Sequence, residues 1–324
     1  MEALSGECVY GEAAVPVLAE FAPENSRHPL VRIDPVLAST DEAVRAEDTP
    51  AQVRRRALIA DPQQRRARAE YKRTQILRFL RDEIWSVSEV IAAYLGIQEA
   101  AARAVLKALQ RDGLIASQPL IIAAERGVRR VILHGITAQG LAYAWGLEEV
   151  AERRKPWEPS KTNALFVPHQ IATQLARVKA EQAGWRGWRP ARQLMGLGLP
   201  KLPDAEAMDP QGVAVAIEVE REIKTDKRYE AVIGAYIAQM KQTQRWARVD
   251  YVCPSQDFAA RLARVFSQLK VLRLEGRHQQ TARVGELQQT HLDRFRFYAA
   301  ADWPGGTGLA AVKRTPVRSA EGIA

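Results

Sequence analysis

The chain has 324 residues, of which 47% are hydrophobic and 26% charged, and this composition predicts a globular protein large enough for two domains. Its two cysteines, Cys8 and Cys253, lack the spacing of a disulfide framework or a zinc site. No run of about 18 apolar residues predicts a membrane span, and the acidic N-terminus does not resemble a secretory signal. We therefore expect a cytoplasmic protein without a membrane partner.

The charge of the chain is unevenly distributed. The formal net charge of +9 favours a polyanionic partner, and the usual polyanion is nucleic acid. Residues 1–50 contain ten acidic and three basic side chains, whereas residues 51–82 contain ten basic and three acidic ones. The first segment also lacks periodicity, so residues 1–65 are predicted to be a mostly disordered arm, acidic and then basic. The acidic part either competes with DNA for the basic segment or is a passive tail.

The basic segment leads into a predicted winged helix-turn-helix at residues 66–145. Its first helix has one apolar face and ends near residue 81. A short helix follows, for which Ser86 and Glu89 have the spacing of a capping box and Gly96 is the natural stop. A longer helix is expected at residues 98–112, followed by two short wing strands at residues 114–116 and 128–133 and a short helix at residues 136–144.

The longer helix is the predicted DNA reader of this domain. Three of its cations recur every four residues and therefore share one face, opposite an apolar face that is expected to pack in the core. A recognition helix in the major groove needs this division, and the arginines of the wing are placed for phosphate contacts. The alternative is a winged helix that binds protein. The predicted residues for binding double-stranded DNA are Arg103, Lys107, Arg111, Arg126, Arg129 and Arg130.

A second domain is predicted after a charged, proline-containing linker at residues 146–164. Helices and strands alternate over residues 165–300, which predicts a mixed sheet flanked by helices. Residues 196–209 read as turns, residues 270–275 as a strand and residues 301–324 as a flexible tail. The predicted fold class is α+β, an N-terminal winged helix-turn-helix followed by an α/β domain.

Three acidic residues of this second domain form a candidate metal site. Residues 213–222 alternate strictly, with aliphatic side chains on one strand face and Glu218 and Glu220 on the other. Asp204, in the preceding turn, can reach both. Clustered carboxylates repel one another unless a cation neutralises them, and their hard oxygens suit Mg²⁺ or Mn²⁺. Beside DNA, such an ion would activate water and stabilise a phosphodiester transition state. The alternative is a solvated strand face.

The motifs across residues 70–275 together resemble the replication-relaxation family, which includes MobC-type plasmid mobilisation proteins. The resemblance implies a winged helix fused to a restriction-endonuclease-like, PD-(D/E)XK-like domain. In that domain Asp204, Glu218 and Glu220 would be the acidic centre, with His169 beside it at the start of the first helix. The residues that carry the resemblance are the winged helix ending at residues 136–140, residues 167–171 and 187–192, the pair Pro203-Asp204, residues 218–221 and the helix with Tyr236.

Two functions remain open at this point. The PD-(D/E)XK pattern has lysine where this chain has Glu220, so the catalytic lysine is Lys224, Lys227 or Lys241, or is missing. The first function is a plasmid or mobile-element protein for conjugative mobilisation or replication, a nuclease or relaxase that nicks origin DNA with a divalent metal. Its partners would be relaxosome or replication proteins, and it would be a candidate homodimer. The second is a non-catalytic DNA-binding accessory protein or repressor with a degenerate nuclease fold.

Overall fold

The computed structural model describes residues 61–124, 127–274 and 283–313. They belong to one compact unit, Ala57–Ala324, and have a mixed α+β fold. The other unit, Met1–Arg56, lies outside the described residues, and with it most of the predicted arm. No helix in the described ranges is long and apolar enough to cross a membrane.

The first half of the described chain consists of helices packed on an antiparallel sheet with the strand order β1-β3-β2. Two of its strands, β2 and β3, form a long hairpin. In chain order the elements are α1 (Pro62–Glu83), β1 (Trp85–Ser86), α2 (Ser88–Leu95), α3 (Glu99–Arg111), β2 (Ile115–Ala124), β3 (Gly127–Ile136) and α4 (Ala138–Tyr143).

Local sequence explains where these helices begin and end, with one correction. Asp61 caps α1 by accepting the N–H of Gln63 at 2.8 Å. Gly96 ends α2 in the left-handed conformation, with φ 61°, as predicted. The predicted capping box is wrong, because α2 begins after Val87, which has no side-chain cap. Ser86 instead lies buried in β1, where its hydroxyl donates to Gln174 at 2.8 Å.

The second half of the described chain is built on a six-stranded mixed sheet with the order β11-β10-β7-β6-β5-β4. Strands β6, β7 and β10 are parallel neighbours, and the remaining pairs are antiparallel. Its elements are α5 (Val167–Gln182), β4 (Arg186–Pro190), α6 (Ala191–Leu194), β5 (Ala205–Met208), β6 (Ala214–Val219), α7 (Asp226–Thr243), β7 (Arg248–Cys253), α8 (Gln256–Gln268), β8 (Val271–Leu274), β9 (Arg283–Glu286), α9 (Gln289–Leu292), β10 (Phe295–Ala299) and β11 (Leu309–Ala310).

The central strand β6 separates two layers of core, of which its alternation predicts only the aliphatic one. Its valines and isoleucine pack in one cluster with Ala176 and Ala180 of α5. On the other side, Ala216 packs with Tyr229 and Tyr236 of α7. Glu218 and Glu220 follow on this second side, so their carboxylates face α7 rather than open solvent.

Several segments differ from the sequence prediction. Residues 196–209 are not all turn, because β5 pairs between β4 and β6. The predicted strand at residues 270–275 corresponds to β8, which pairs with β9 and stays outside the main sheet. The predicted linker contains Trp157, which is buried and donates its backbone N–H to Ile136 at 2.8 Å. Residues 301–313 are not a free tail, because Trp303 is buried and β11 pairs with β10.

Candidate nucleic-acid interface and acidic centre

The three predicted cations of α3 lie on its solvent face. Arg103, Lys107 and Arg111 are exposed, whereas the opposite side of the helix is buried. Arg103 pairs with Glu99 at 3.0 Å and Arg111 with Asp112 at 3.3 Å, yet their side chains remain 59% and 78% exposed. Exposed ion pairs of this kind contribute little, so both guanidinium groups can exchange their partner for a phosphate.

The hairpin divides its two described arginines between opposite faces. Arg129 lies opposite Ile122 in the ladder, and Arg130 opposite Ile121. Neighbouring residues of a strand point to opposite sides, so only one of them can share the surface of α3. The predicted contact Arg126 lies outside the described residues.

Arg129 is the hairpin arginine that is linked to α3. Its guanidinium lies 3.7 Å from Glu89 on α2. The neighbouring Ser88 donates its hydroxyl to Glu99 at 2.6 Å, and Glu99 in turn accepts from Arg103. Arg129 lies near the turn end of the hairpin, and these contacts connect it through the start of α2 to the first turn of α3.

In the second half of the chain, strand pairing brings Asp204 and Glu218 together. Strands β5 and β6 are antiparallel with Ala205 opposite Ile217, and one further step puts Asp204 opposite Glu218. One Asp204 oxygen accepts the N–H of Val219 at 2.7 Å. Its other oxygen lies 2.9 Å from Nε2 of His169, in the first turn of α5.

Each glutamate of β6 is held by one lysine and one tyrosine. Lys201 lies 2.5 Å from Glu218, and the buried Tyr236 donates its hydroxyl to the same oxygen. Glu220 has a separate set of partners: Lys224 donates to it at 2.7 Å and the Tyr229 hydroxyl at 3.2 Å. Each glutamate therefore has its own lysine and its own tyrosine as partners, and both tyrosines lie on α7.

The structure thus brings together only part of the predicted acidic site. Asp204, Glu218 and His169 are close enough for their charges to act on one another. Glu220 is instead bound by Lys224 and Tyr229. Lys227 is exposed and makes no ion pair with a described residue. Within the described ranges, no group of three or more His, Cys, Asp or Glu side chains is placed to hold a metal ion. The donor set that remains for Mg²⁺ is the pair Asp204 and Glu218.

The environment moves the pKa values of these groups in different directions. Burial raises the pKa of Glu218 above its usual value, against the opposing charge of Lys201. Burial also acts to raise the pKa of Asp204, but the hydrogen bond and charge of His169 hold it below its usual value. Burial acts to lower the pKa of His169, which Asp204 and Glu218 nevertheless raise. Neighbouring acids with opposite shifts are a common feature of proton-transfer sites, although structural ion-pair networks also produce such shifts.

Sequence reasoning missed Lys201, the lysine that contacts Glu218. It considered only lysines that follow β6, because the family pattern has its lysine there. Lys201 precedes β5 and lies three residues before Asp204 in the same turn-rich segment. That proximity to Asp204 was the available signal.

Comparisons with family models, with curated proteins and with solved structures each find no match.

Proposed function

We propose that this protein binds duplex DNA, with α3 as the reading helix and the β2–β3 hairpin as a wing. The observation that carries the proposal is the division of α3 into a buried apolar side and an exposed side with Arg103, Lys107 and Arg111. The order of three helices and a hairpin is that of a winged helix-turn-helix. The 13 residues of α3 give a helix about 20 Å long. A major groove is about 12 Å wide, which is enough to admit an α-helix.

The resemblance to replication-relaxation proteins supports a narrower form of this proposal. The target would be an origin-like site on a plasmid or other mobile element, and the partners would be relaxosome or replication proteins. In this setting α3 recognises bases, and Arg129 contacts the phosphates beside them.

The test compares two full-length variants that lose the same charge. Replacing the three α3 cations by glutamine removes three phosphate or base contacts, so the slope of log K against log salt should become shallower by roughly 3. The matched control replaces exposed cations on and after α8. The α3 variant is Arg103→Gln/Lys107→Gln/Arg111→Gln, and the control is Arg261→Gln/Arg264→Gln/Lys270→Gln.

Binding is measured by fluorescence anisotropy on a labelled duplex between 50 and 200 mM salt, roughly the range over which such contacts change affinity strongly. We expect the control to keep the slope of the wild-type protein. A variant of α3 that binds as tightly as the control at every salt concentration would show that α3 is not the DNA contact.

A second candidate function is cleavage of a DNA strand at the acidic centre. The observation that favours it is the juxtaposition of Asp204, Glu218 and Lys201 across β5 and β6. The element order α5-β4-β5-β6-α7-β7 is also compatible with the PD-(D/E)XK-like domain that the resemblance implies. In this reading Lys201 supplies the cation that the pattern expects at residue 220.

Asp204 and Glu218 are the residues that would hold Mg²⁺, which proteins often bind through one or two carboxylates and several waters. The ion would supply Lewis-acid stabilisation and an activated water. The residues of the chain would position it: Val219 and His169 fix the Asp204 carboxylate, and Tyr236 fixes Glu218. In the competing non-catalytic function, Lys201 and His169 are simply the permanent counter-ions of the two acids.

Metal binding and strand nicking separate these two readings. For a catalytic centre, Mn²⁺ binds in calorimetry, and supercoiled plasmid is nicked in an EDTA-sensitive reaction. Glu218→Gln should abolish both signals, and Lys201→Met should reduce nicking about a hundredfold while Mn²⁺ still binds. Glu222→Gln, at an exposed glutamate outside the centre, is the control. Wild-type protein that neither binds Mn²⁺ nor nicks DNA would favour the accessory function.

A further inference from the structure

Helix α1 consists of a packed part and a projecting part. Its later residues supply buried side chains to the core of the first half, including Ile76, Phe79 and Leu80. By contrast, all ten residues from 62 to 71 are exposed. At about 1.5 Å per residue, these ten residues extend roughly 15 Å from the packed part of the helix. We call residues 62–72 the basic arm.

The basic arm carries mostly positive charge. Glu70 is its single acidic residue, and Arg66, Arg68 and Lys72 make no ion pair with a described residue. An isolated helix of this length is marginally stable in water. A polyanion bound along it would neutralise the repulsion between its cations and stabilise the helical form.

The base of the basic arm is fixed beside the end of α3. Arg73 donates to Asp112 at 2.7 Å, and Asp112 also pairs with Arg111 at 3.3 Å. Asp112 is the C-cap residue of α3. The arm therefore begins beside the end of α3 that carries Arg111.

We propose that the basic arm is a second DNA contact, which binds the phosphate backbone next to the site read by α3. This inference rests on the proposed function of α3. A length of about 15 Å covers roughly four steps of B-DNA at about 3.4 Å each. In this role the cations of the arm contact phosphates, which carry no sequence information, so the arm adds affinity and salt dependence rather than sequence readout.

The experiment uses the full-length chain and the triple variant Arg66→Gln/Arg68→Gln/Lys72→Gln. Glutamine has nearly the helix propensity of arginine and lysine, so the helix keeps its intrinsic stability. Three lost phosphate contacts should make the slope of log K against log salt shallower by roughly 3. The control is again Arg261→Gln/Arg264→Gln/Lys270→Gln, which has the same net charge.

The outcomes distinguish the arm from α3. If the wild-type protein ignores DNA at low salt, the proposed function itself fails. If wild type and control bind alike and the arm variant matches both in affinity and slope, the arm inference is overturned while the role of α3 stands.

A second measurement identifies what the arm touches. A photoreactive benzoylphenylalanine in place of the exposed Ala69 should crosslink to a labelled duplex. Crosslinks only to residues 1–50 of the chain itself, which carry a net charge of −7, would show that the arm holds the acidic segment and would overturn the inference.

Discussion

Arg177 is the residue that ties the two halves of the described chain together. Its guanidinium is buried in α5 and donates to Glu83 at 2.8 Å and to Asp82 at 3.2 Å, both at the end of α1. It also pairs with Glu181 at 2.7 Å. Arg192 reaches the same Glu83 at 3.1 Å. Arg192 thus also belongs to this junction.

We expect Arg177→Ala to cost about 3–5 kcal/mol of unfolding free energy, because it removes one of the partners of the buried Glu83 carboxylate. Urea unfolding followed by circular dichroism measures this loss. The exposed Arg186, changed to alanine, should stay within about 0.5 kcal/mol of the wild-type protein.

The double variant Arg177→Met/Glu83→Gln tests the cause of that loss. If the uncompensated charge is responsible, removing both charges should recover part of the stability. A loss below about 1 kcal/mol for Arg177→Ala would mean that Arg192 alone compensates Glu83.

At the scale of elements, the sequence predicts best where burial repeats with a fixed period. Helix α3 shows one apolar stripe and one cationic stripe, and Gly113 after it has φ 73°, which glycine accepts readily. Strand β6 alternates because its two faces pack against different helices. In both elements the residue pattern is sufficient to predict the element and its faces, because all side chains on one face have the same surroundings.

Elements defined by their neighbours are harder to predict. Strand β5 has four residues and no strong β-formers, and its conformation comes from pairing with β4 and β6. Strand β2 contains Pro119, which argues against a central strand. The predicted strand covers only residues 114–116, whereas β2 runs over Ile115–Ala124 as an edge strand, where proline is tolerated.

The acidic site was predictable only in part for the same reason. Asp204 and Glu218 could be paired from the sequence because Asp204 lies in the turn before the strand that carries Glu218. The contact of Lys201 with Glu218 spans 17 residues and depends on the ladder between β5 and β6. The separate couple of Glu220 with Tyr229 depends on how α7 packs over β6, which periodicity alone does not specify.

At the scale of the whole molecule, α5 contributes to the core of the first half and to one of the two core layers of the second half. Val167, Ile171 and Val178 pack with the helices and hairpin of the first half. Ala176 and Ala180 pack under the six-stranded sheet. The buried Gln174 adds hydrogen bonds to Ser86 and to the Trp85 carbonyl at 2.8 and 2.7 Å. A helix shared in this way holds α3 and the acidic centre in one fixed relation, so DNA bound on α3 would meet the second half at a constant position.

Because α5 contributes buried side chains to the cores of both halves, we expect the two halves to unfold in a single transition. Hydrogen exchange read by mass spectrometry over a urea series should show α2 and β7 losing protection at the same concentration. Gln174→Ala removes the hydrogen bonds to the Ser86 hydroxyl and the Trp85 carbonyl, so it should lower the free energy of unfolding by about 1–3 kcal/mol and move both midpoints down together. If α2 opened at a lower urea concentration than β7, α3 would be carried by an independently folding domain, and the constant position of DNA relative to the acidic centre would no longer follow.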